Sequence, residues 1–212
     1  MDSRSQRSRL LAWALLLGLT SSSPLHAQDD PPESWEFTAA LNTYWYPDED
    51  VSLLPVVTAD WGGLHLEGRY NYEDERTGSL FGGWTVAWDW IVSGETTPML
   101  GLVLGNTNGA APGLELDVFW WRLELYTEME YLLSFDDREA DFFYSWTEAT
   151  VSPTDWLRAG LVAQRIMVFD SEREIDRGFL VQGLLERYAA TFHTFNPDDE
   201  FPYYVFTLEA SF

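Results

Sequence analysis

Two histidines and a set of closely spaced carboxylates are the residues of this chain whose types and spacing could do chemistry. His65 and His193 could act as general bases, but neither has a serine two positions away, where a neighbour on the same face of a strand would lie. Carboxylates do recur at that spacing, as in Glu128 and Glu130, about 7 Å apart along a strand and compatible with glycosidase acids. Because carboxylates are abundant throughout the chain, such pairs carry little weight, and we predict no catalytic residue.

The balance of charge limits the partners and ligands of the protein. Twelve arginines and no lysine stand against 35 Asp and Glu in 212 residues, for a formal net charge of −23 at pH 7. We therefore predict no nucleic-acid partner, because no basic patch can form. The lack of cysteine excludes disulfides and thiolate metal sites. The acidic runs at 48–50, 136–137 and 198–200 could hold Ca²⁺ or Mg²⁺ only weakly, since none has spaced ligands, so we predict no metal and no cofactor.

The first 27 residues have the features of a cleaved signal peptide. Three arginines precede an apolar stretch at 10–19, and a Ser-rich segment follows and ends at Ala27. Ten apolar residues are too few to span a bilayer as a helix. We predict an exported protein with a leader at 1–27, a short periplasmic segment at 28–34 and a single domain at 35–212.

The exported part has the period-2 alternation of an all-β chain. Apolar and polar residues alternate between turn residues, which predicts twelve strands. The strands are expected at 35–46, 52–60, 64–72, 80–91, 98–105, 114–119, 122–133, 142–151, 156–166, 178–184, 187–195 and 203–212. The apolar side chains would face a core in a soluble β-sandwich, but they would face lipid in a membrane barrel.

The connections between the predicted strands favour the barrel. Long connections alternate with tight turns, and five of the six long ones hold 17 acidic residues in total. An up-and-down barrel has this arrangement, with long loops at one rim and short turns at the other, whereas a Greek-key sandwich has no reason to sort its loops. An even number of strands also places both termini at the same rim.

The last predicted strand has apolar residues at every second position and ends the chain on an aromatic one. These residues are Tyr204, Phe206, Leu208, Ala210 and Phe212. The pattern resembles the C-terminal assembly signal of bacterial outer-membrane β-barrel proteins. The resemblance implies a closed, antiparallel, up-and-down, porin-like transmembrane barrel in the bacterial outer membrane. It also implies contact with the outer-membrane assembly machinery, with membrane lipid and with lipopolysaccharide, and it is compatible with a homo-oligomer.

The polar positions of the strands would then face the lumen. The candidate lumen and selectivity residues are Glu67, Arg69, Glu115, Asp117, Arg122, Glu124, Glu128, Glu130, Glu148, Arg158 and Arg187, and the same alternation points Glu36, Asp89 and Glu209 inward. Carboxylates outnumber arginines in this set, and an acidic lumen concentrates cations and repels anions. The sequence therefore predicts a passive channel for small hydrophilic solutes with a preference for cations.

Two other functions stay open at this point. If the arginines pair with the carboxylates, the barrel is closed and serves a structural or adhesive role. Bulky inward candidates such as Tyr44, Tyr144 and Trp146 favour a constricted bore, and a twelve-stranded barrel is neither small enough to be filled by necessity nor wide enough to be open. The third possibility is a lipid hydrolase that uses His65 or His193, the latter with a cross-strand serine such as Ser211.

Overall fold

The computed structural model describes residues 34–47, 49–168 and 174–212, so the predicted signal peptide lies outside the described residues. The strands are β1 Glu36–Trp45, β2 Ser52–Trp61, β3 Leu64–Tyr70, β4 Gly78–Trp84, β5 Val86–Asp89, β6 Ser93–Leu104, β7 Gly109–Trp120, β8 Leu123–Ser134, β9 Phe142–Thr154, β10 Leu157–Val168, β11 Glu174–Leu185, β12 Tyr188–Phe195 and β13 Tyr203–Ser211. A single 3₁₀ turn, Arg138–Ala140, is the helical element of the described part. Within these ranges, no helix has the length and apolar character needed to cross a membrane.

The strands form one closed antiparallel barrel. Each strand pairs with its neighbours in the chain, and β1 pairs with β13 from Thr38 opposite Ser211 to Trp45 opposite Tyr204. Both β4 and β5 pair with β6, so they are two parts of one barrel strand, interrupted at Thr85. The Thr85 backbone N–H instead donates to the Gly63 carbonyl at 2.7 Å. The barrel therefore has twelve strands, as the sequence predicts.

The two ends of the barrel differ in their connections. We call the end with the long connections the loop end, and the end with the tight turns and both chain termini the turn end. Six exposed tryptophans surround the turn end: Trp35, Trp61, Trp90, Trp120, Trp121 and Trp156. Trp45 lies at the loop end, with its ring centroid 5.3 Å from that of Tyr204. Exposed aromatic rings near both rims are typical of a barrel that meets two membrane–water interfaces.

Apolar side chains cover the outside of the barrel, and polar ones lie inside. Trp84, Leu123 and Phe206 are 58%, 44% and 43% exposed on the outer wall, whereas Arg69 is 4% exposed in the interior. The last strand follows the same alternation, with Phe206 and Leu208 outside and Val205 and Thr207 buried. The prediction that apolar side chains face outward and that ionised side chains face an enclosed interior is confirmed.

Two strands begin about five residues earlier than the alternation predicts. β6 starts at Ser93, where the sequence predicts a turn, and β7 starts at Gly109, inside a predicted loop at 106–113. The segment at 109–113 consists of Gly, Ala and Pro and has no apolar–polar alternation to reveal a strand. It is held in the sheet by pairing with β6, including Gly109 opposite Val103. Glycine is also required at position 94, because a Cβ there would collide with the Trp88 ring.

Candidate functional site

The centre of the barrel is occupied by one arginine surrounded by three carboxylates. Arg69 on β3 donates from Nε to Glu67, from Nη2 to Glu128 at 2.9 Å and from Nη1 to Glu130 at 3.0 Å. Tyr72 donates its hydroxyl to Glu128 at 3.0 Å. We call Glu67, Arg69, Tyr72, Glu128 and Glu130 the central cluster. Period-2 geometry explains its pairs, since positions 67 and 69 share the inner face of β3, as 128 and 130 share that of β8.

The central cluster reaches across the bore, since β3 and β8 are not neighbours in the sheet. The Arg69 guanidinium also lies over the Tyr72 and Phe81 rings, 4.2 and 4.3 Å from their centroids. A buried cation stacked on aromatic faces and bound to carboxylates is held in one position. One positive charge faces three carboxylates, so the cluster is negative overall whenever all three are ionised.

A second group of polar residues lies between the central cluster and the turn end. His65 is bracketed by Asp60, 2.7 Å from its Nδ1, and by Glu67, 3.4 Å from its Nε2. Arg158 on β10 forms an ion pair with Glu124 on β8 at 2.9 Å. Glu115 is buried and accepts the Tyr126 hydroxyl hydrogen bond at 3.4 Å.

Aromatic rings fill the interior towards the loop end. The Trp146 indole N–H and His193 Nε2 both lie 2.9 Å from the same oxygen of Glu148. The Phe195 ring packs edge-on against Trp146, with centroids 5.2 Å apart, and stacks on Tyr203 at 4.7 Å. We call Trp146, Phe195 and Tyr203, with the adjoining Tyr46 at 5.0 Å from Tyr203, the aromatic stack. The aromatic stack narrows the bore between the central cluster and the loop end.

A backbone turn brings two further residues into the interior just beyond β3. Asn71 has a φ of 57°, and its backbone N–H donates to the Thr77 carbonyl at 2.8 Å. This left-handed residue breaks the alternation, so that the adjacent Tyr72 and Glu73 are both buried. Sequence reasoning missed both, because it extends the strand through residue 72 and assigns residue 73 to a solvated acidic loop. The Asn after a regular strand is the signal that could have indicated the turn.

Burial raises the pKa of three ionisable side chains in the loop-end connections, Tyr46, Tyr72 and Glu73. Loss of solvent raises the pKa of the Tyr72 phenol well above its usual value, with a further increase from the Glu128 charge. Tyr72 therefore stays protonated and remains a donor to Glu128. Burial likewise raises the pKa of Tyr46 and the pKa of the Glu73 carboxyl. The nearby charge of Arg69 offsets part of the increase at Glu73. Neither oxygen of Glu73 has a hydrogen-bond partner among the described residues.

Most of the predicted lumen residues lie inside the barrel, in different groups. The central cluster contains Glu67, Arg69, Glu128 and Glu130, the region towards the turn end contains Glu115, Asp117, Glu124 and Arg158, and Glu148 lies beneath the aromatic stack; Glu209 is also buried. Their role in selectivity stays a prediction.

Four of the predicted inward residues lie outside the bore, and the prediction of their placement is wrong. Arg122 lies at the turn end, where its Nη1 donates to the Ser152 carbonyl at 2.6 Å, and Arg187 is exposed in the turn between β11 and β12. Trp121 and Glu186, the residues just before them, have φ of 56° and 51° in two-residue hairpin turns, so both arginines lie in the turn, before the next strand begins. Glu36 and Asp89 are exposed at the turn end.

The histidine and serine considered for a hydrolase are not brought together. His193 lies opposite Val205 in the β12–β13 ladder, whereas Ser211 lies six residues further along β13 at the turn end. The Ser211 hydroxyl is 3.4 Å from that of Thr38. The prediction of Ser211 as a cross-strand partner of His193 is therefore wrong, and His193 is instead bound to Glu148.

A closed, twelve-stranded antiparallel barrel with an apolar wall, aromatic rims and a polar interior defines a class by its fold, the outer-membrane-type β-barrels. Two solved structures, "KdgM porin" and "KdgM porin in complex with disordered oligogalacturonate", are similar to this chain. Each has a TM-score of 0.63 and covers 82% of this chain and 99% of its own, with identities of 9% and 8%.

A further solved barrel is a loop L8 deletion mutant of OmpT, an outer membrane protein of Vibrio cholerae. It has 8% identity and a TM-score of 0.42, and it covers 87% of this chain and 100% of its own. No known family profile and no curated protein sequence matches the chain. At identities this low, the likeness to the KdgM structures concerns the fold alone. In outer-membrane barrels of this fold, the end with the long loops is the extracellular one and the end with the short turns is the periplasmic one.

Proposed function

We propose that the protein is a narrow, porin-like passive channel for small hydrophilic solutes, with a preference for cations. The observation that carries this proposal is the acidic surplus of the interior. Among the described residues, seven buried glutamates stand against two buried arginines: Glu67, Glu73, Glu115, Glu128, Glu130, Glu148 and Glu209 against Arg69 and Arg158.

An acidic interior favours cations through simple electrostatics. Two unit charges 4 Å apart interact by about 4 kcal/mol at an effective dielectric constant of 20, a value suited to partly solvated protein sites. Even a fraction of that energy per carboxylate enriches cations and depletes anions in the bore. For the same reason we propose that the solute differs in charge from the oligogalacturonate named in the KdgM complex, because that ligand carries carboxylates.

The proposal also includes a route to the membrane. Residues 1–27 would be removed during export, and the outer-membrane assembly machinery would recognise the alternating residues of the last strand, from Tyr204 to Phe212. Mass spectrometry of the protein isolated from outer membranes tests the first step. A mature chain that begins at Gln28 supports the leader, whereas a chain that retains the first residues contradicts it.

Planar-bilayer recordings test the channel and its selectivity. In a KCl gradient, a cation-preferring channel gives a zero-current potential of the sign expected for K⁺, and Glu148→Gln reduces it because Glu148 is a buried acid without an ion pair to an arginine among the described residues. Glu186→Gln is the matched control, since Glu186 is exposed in a periplasmic turn. A zero-current potential near zero, or of the opposite sign, refutes the cation preference.

A closed structural or adhesive barrel is the second candidate, and the contacts across the bore favour it. The side chains of Tyr44, Tyr144 and Trp146 have no exposed surface at all. A barrel closed in this way gives no single-channel steps, and Arg69→Ala would open the central cluster and produce them. Steps in the unmodified protein contradict the closed barrel.

A further inference from the structure

Two arginines lie on the outer wall of the barrel, where lipid is the neighbour. Arg165 on β10 shares its face with Leu161, which is 58% exposed, and alternates with the buried Gln164 and Ile166. Arg177 on β11 shares its face with Phe179, which is 55% exposed. Among the strand residues that the structure describes, these two are the only basic side chains on the outer wall.

The register of β10 and β11 places the two arginines diagonally next to each other on the outer wall. Arg165 lies opposite Ile175, and Arg177 lies opposite Ala163, so the arginines are diagonal neighbours on one face. Diagonal neighbours of an antiparallel pair lie about 7–8 Å apart, within reach of two long side chains. Both are three residues from the extracellular end of their strand, since β10 ends at Val168 and β11 begins at Glu174.

The Arg165 side chain leans towards the extracellular rim. Its guanidinium carbon is 6.0 Å from the centroid of the Phe143 ring, and its Nη2 is 3.9 Å from the Met167 sulfur. Phe143 on β9 and Met167 form the ladder pair that lies two residues nearer the rim than the pair of Arg165 and Ser145. The charge is therefore directed along the wall towards the level of the lipid headgroups, as long basic side chains near an interface are.

The two arginines differ in the ion pairs that they form with the residues that the structure describes. Arg177 forms an exposed ion pair with Asp198 at 2.8 Å. Arg165 forms none with any residue that the structure describes, and its Nε is buried without a hydrogen-bond partner. A cation on the lipid-facing wall is unfavourable at the bilayer centre and tolerated near an interface, where headgroups supply the counter-charge.

We propose that Arg165 and Arg177 form a binding site for a phosphate group of an outer-leaflet lipid, the phosphorylated diglucosamine of lipopolysaccharide. Arg177 has Asp198 as a counter-charge, whereas Arg165 has none among the described residues, and a phosphate has enough oxygens to accept hydrogen bonds from both guanidiniums. The extracellular loops nearby are acidic, so the pair is a local site for an anion on an otherwise negative surface. The site is on the outside of the barrel and does not depend on whether the bore conducts.

Binding of lipid A to the detergent-purified barrel tests the proposal. The probes are lipid A with its phosphates and the same lipid A after enzymatic removal of them, which differ only in the proposed ligand group. We expect the wild-type barrel to bind the phosphorylated form about tenfold more tightly, as expected for charge-assisted hydrogen bonds. Equal binding of the two lipids overturns the proposal without any variant.

Variants then assign the site to these residues. Arg165→Gln should lose most of the preference for the phosphorylated lipid, and Arg165→Lys, which keeps the charge, should retain part of it. Arg76→Gln is the matched control, because Arg76 is an exposed arginine of an extracellular loop that is off the outer wall. Heat-modified migration on gels confirms that each variant is folded.

Two results would overturn this assignment. The first is an Arg165→Gln barrel that binds phosphorylated lipid A as tightly as wild type does. The second is displacement of lipid A by inorganic phosphate at the same phosphate concentration, which would identify a site for free phosphate rather than for a lipid. Neither result bears on the channel, because conductance is measured separately.

Discussion

Replacing Arg69 by Met tests whether the central cluster holds the barrel wall together. The methionine keeps an unbranched apolar stem but removes the guanidinium that binds Glu67, Glu128 and Glu130. Three carboxylates would then lie in the interior without their shared cation. The loss of stability comes mainly from leaving these carboxylates buried without a cation, because the attraction within a buried ion pair is largely offset by desolvation.

The structure sets the size of the effect. Removing one partner of a buried ion pair costs about 3–5 kcal/mol, and loss of the contacts with the Tyr72 and Phe81 rings adds about 0.5–2 kcal/mol. We therefore expect Arg69→Met to lower the free energy of unfolding by about 5 kcal/mol. Adding Glu128→Gln and Glu130→Gln should restore part of this loss, because fewer anions remain uncompensated.

Urea unfolding in phospholipid vesicles, followed by tryptophan fluorescence, measures these differences. Arg76→Met is the control, because Arg76 is 76% exposed and lies 3.7 Å from Glu75, an exposed pair worth at most about 1 kcal/mol. If Arg69→Met stays within about 1 kcal/mol of wild type, the central cluster does not stabilise the barrel.

Three further predictions concern single positions. Glu73→Gln should stabilise the barrel at pH 8 but not at pH 4. Burial raises the pKa of Glu73 in the fold, so the wild-type barrel loses stability as the pH rises and this carboxyl ionises. A difference in unfolding free energy between variant and wild type that does not change with pH in urea titrations contradicts this. Gly178→Ala should cost about 1–3 kcal/mol in the same titrations, because the new Cβ collides with the Thr194 carbonyl, and an unchanged midpoint argues against that close contact. Deleting Phe212 removes two hydrogen bonds to Phe37, so the heat-modifiable, folded fraction in outer membranes should fall several-fold; wild-type levels would show that the terminal residue is dispensable.

The architecture could be predicted because alternation is a direct consequence of strand geometry. Side chains two residues apart share a face, so the outward positions of Trp84, Leu123 and Phe206 follow once the polar face is known to be enclosed. The number of barrel strands follows from the connections, even though Thr85 interrupts one strand and the residues at 109–113 carry no pattern.

The site could be predicted only in part, because contacts across the bore depend on closure. Sequence places Glu67 and Arg69 on one face of a strand, but it does not reveal that Glu128 and Glu130 arrive from a strand that is not a neighbour in the sheet. Alternation also fails at turns with positive φ. It therefore misses the buried Glu73. Arg122 is misplaced for another reason, because it lies in a hairpin turn just before β8 begins.

The pairing of β1 with β13 has a consequence for biogenesis. The first strand of the barrel finds its second partner only when the last strand has been synthesised, more than 150 residues later. Until then the growing sheet has two unsatisfied margins, each a template for pairing with another polypeptide. A chain truncated anywhere before the final strand would therefore keep open sheet edges, along which other polypeptides could pair.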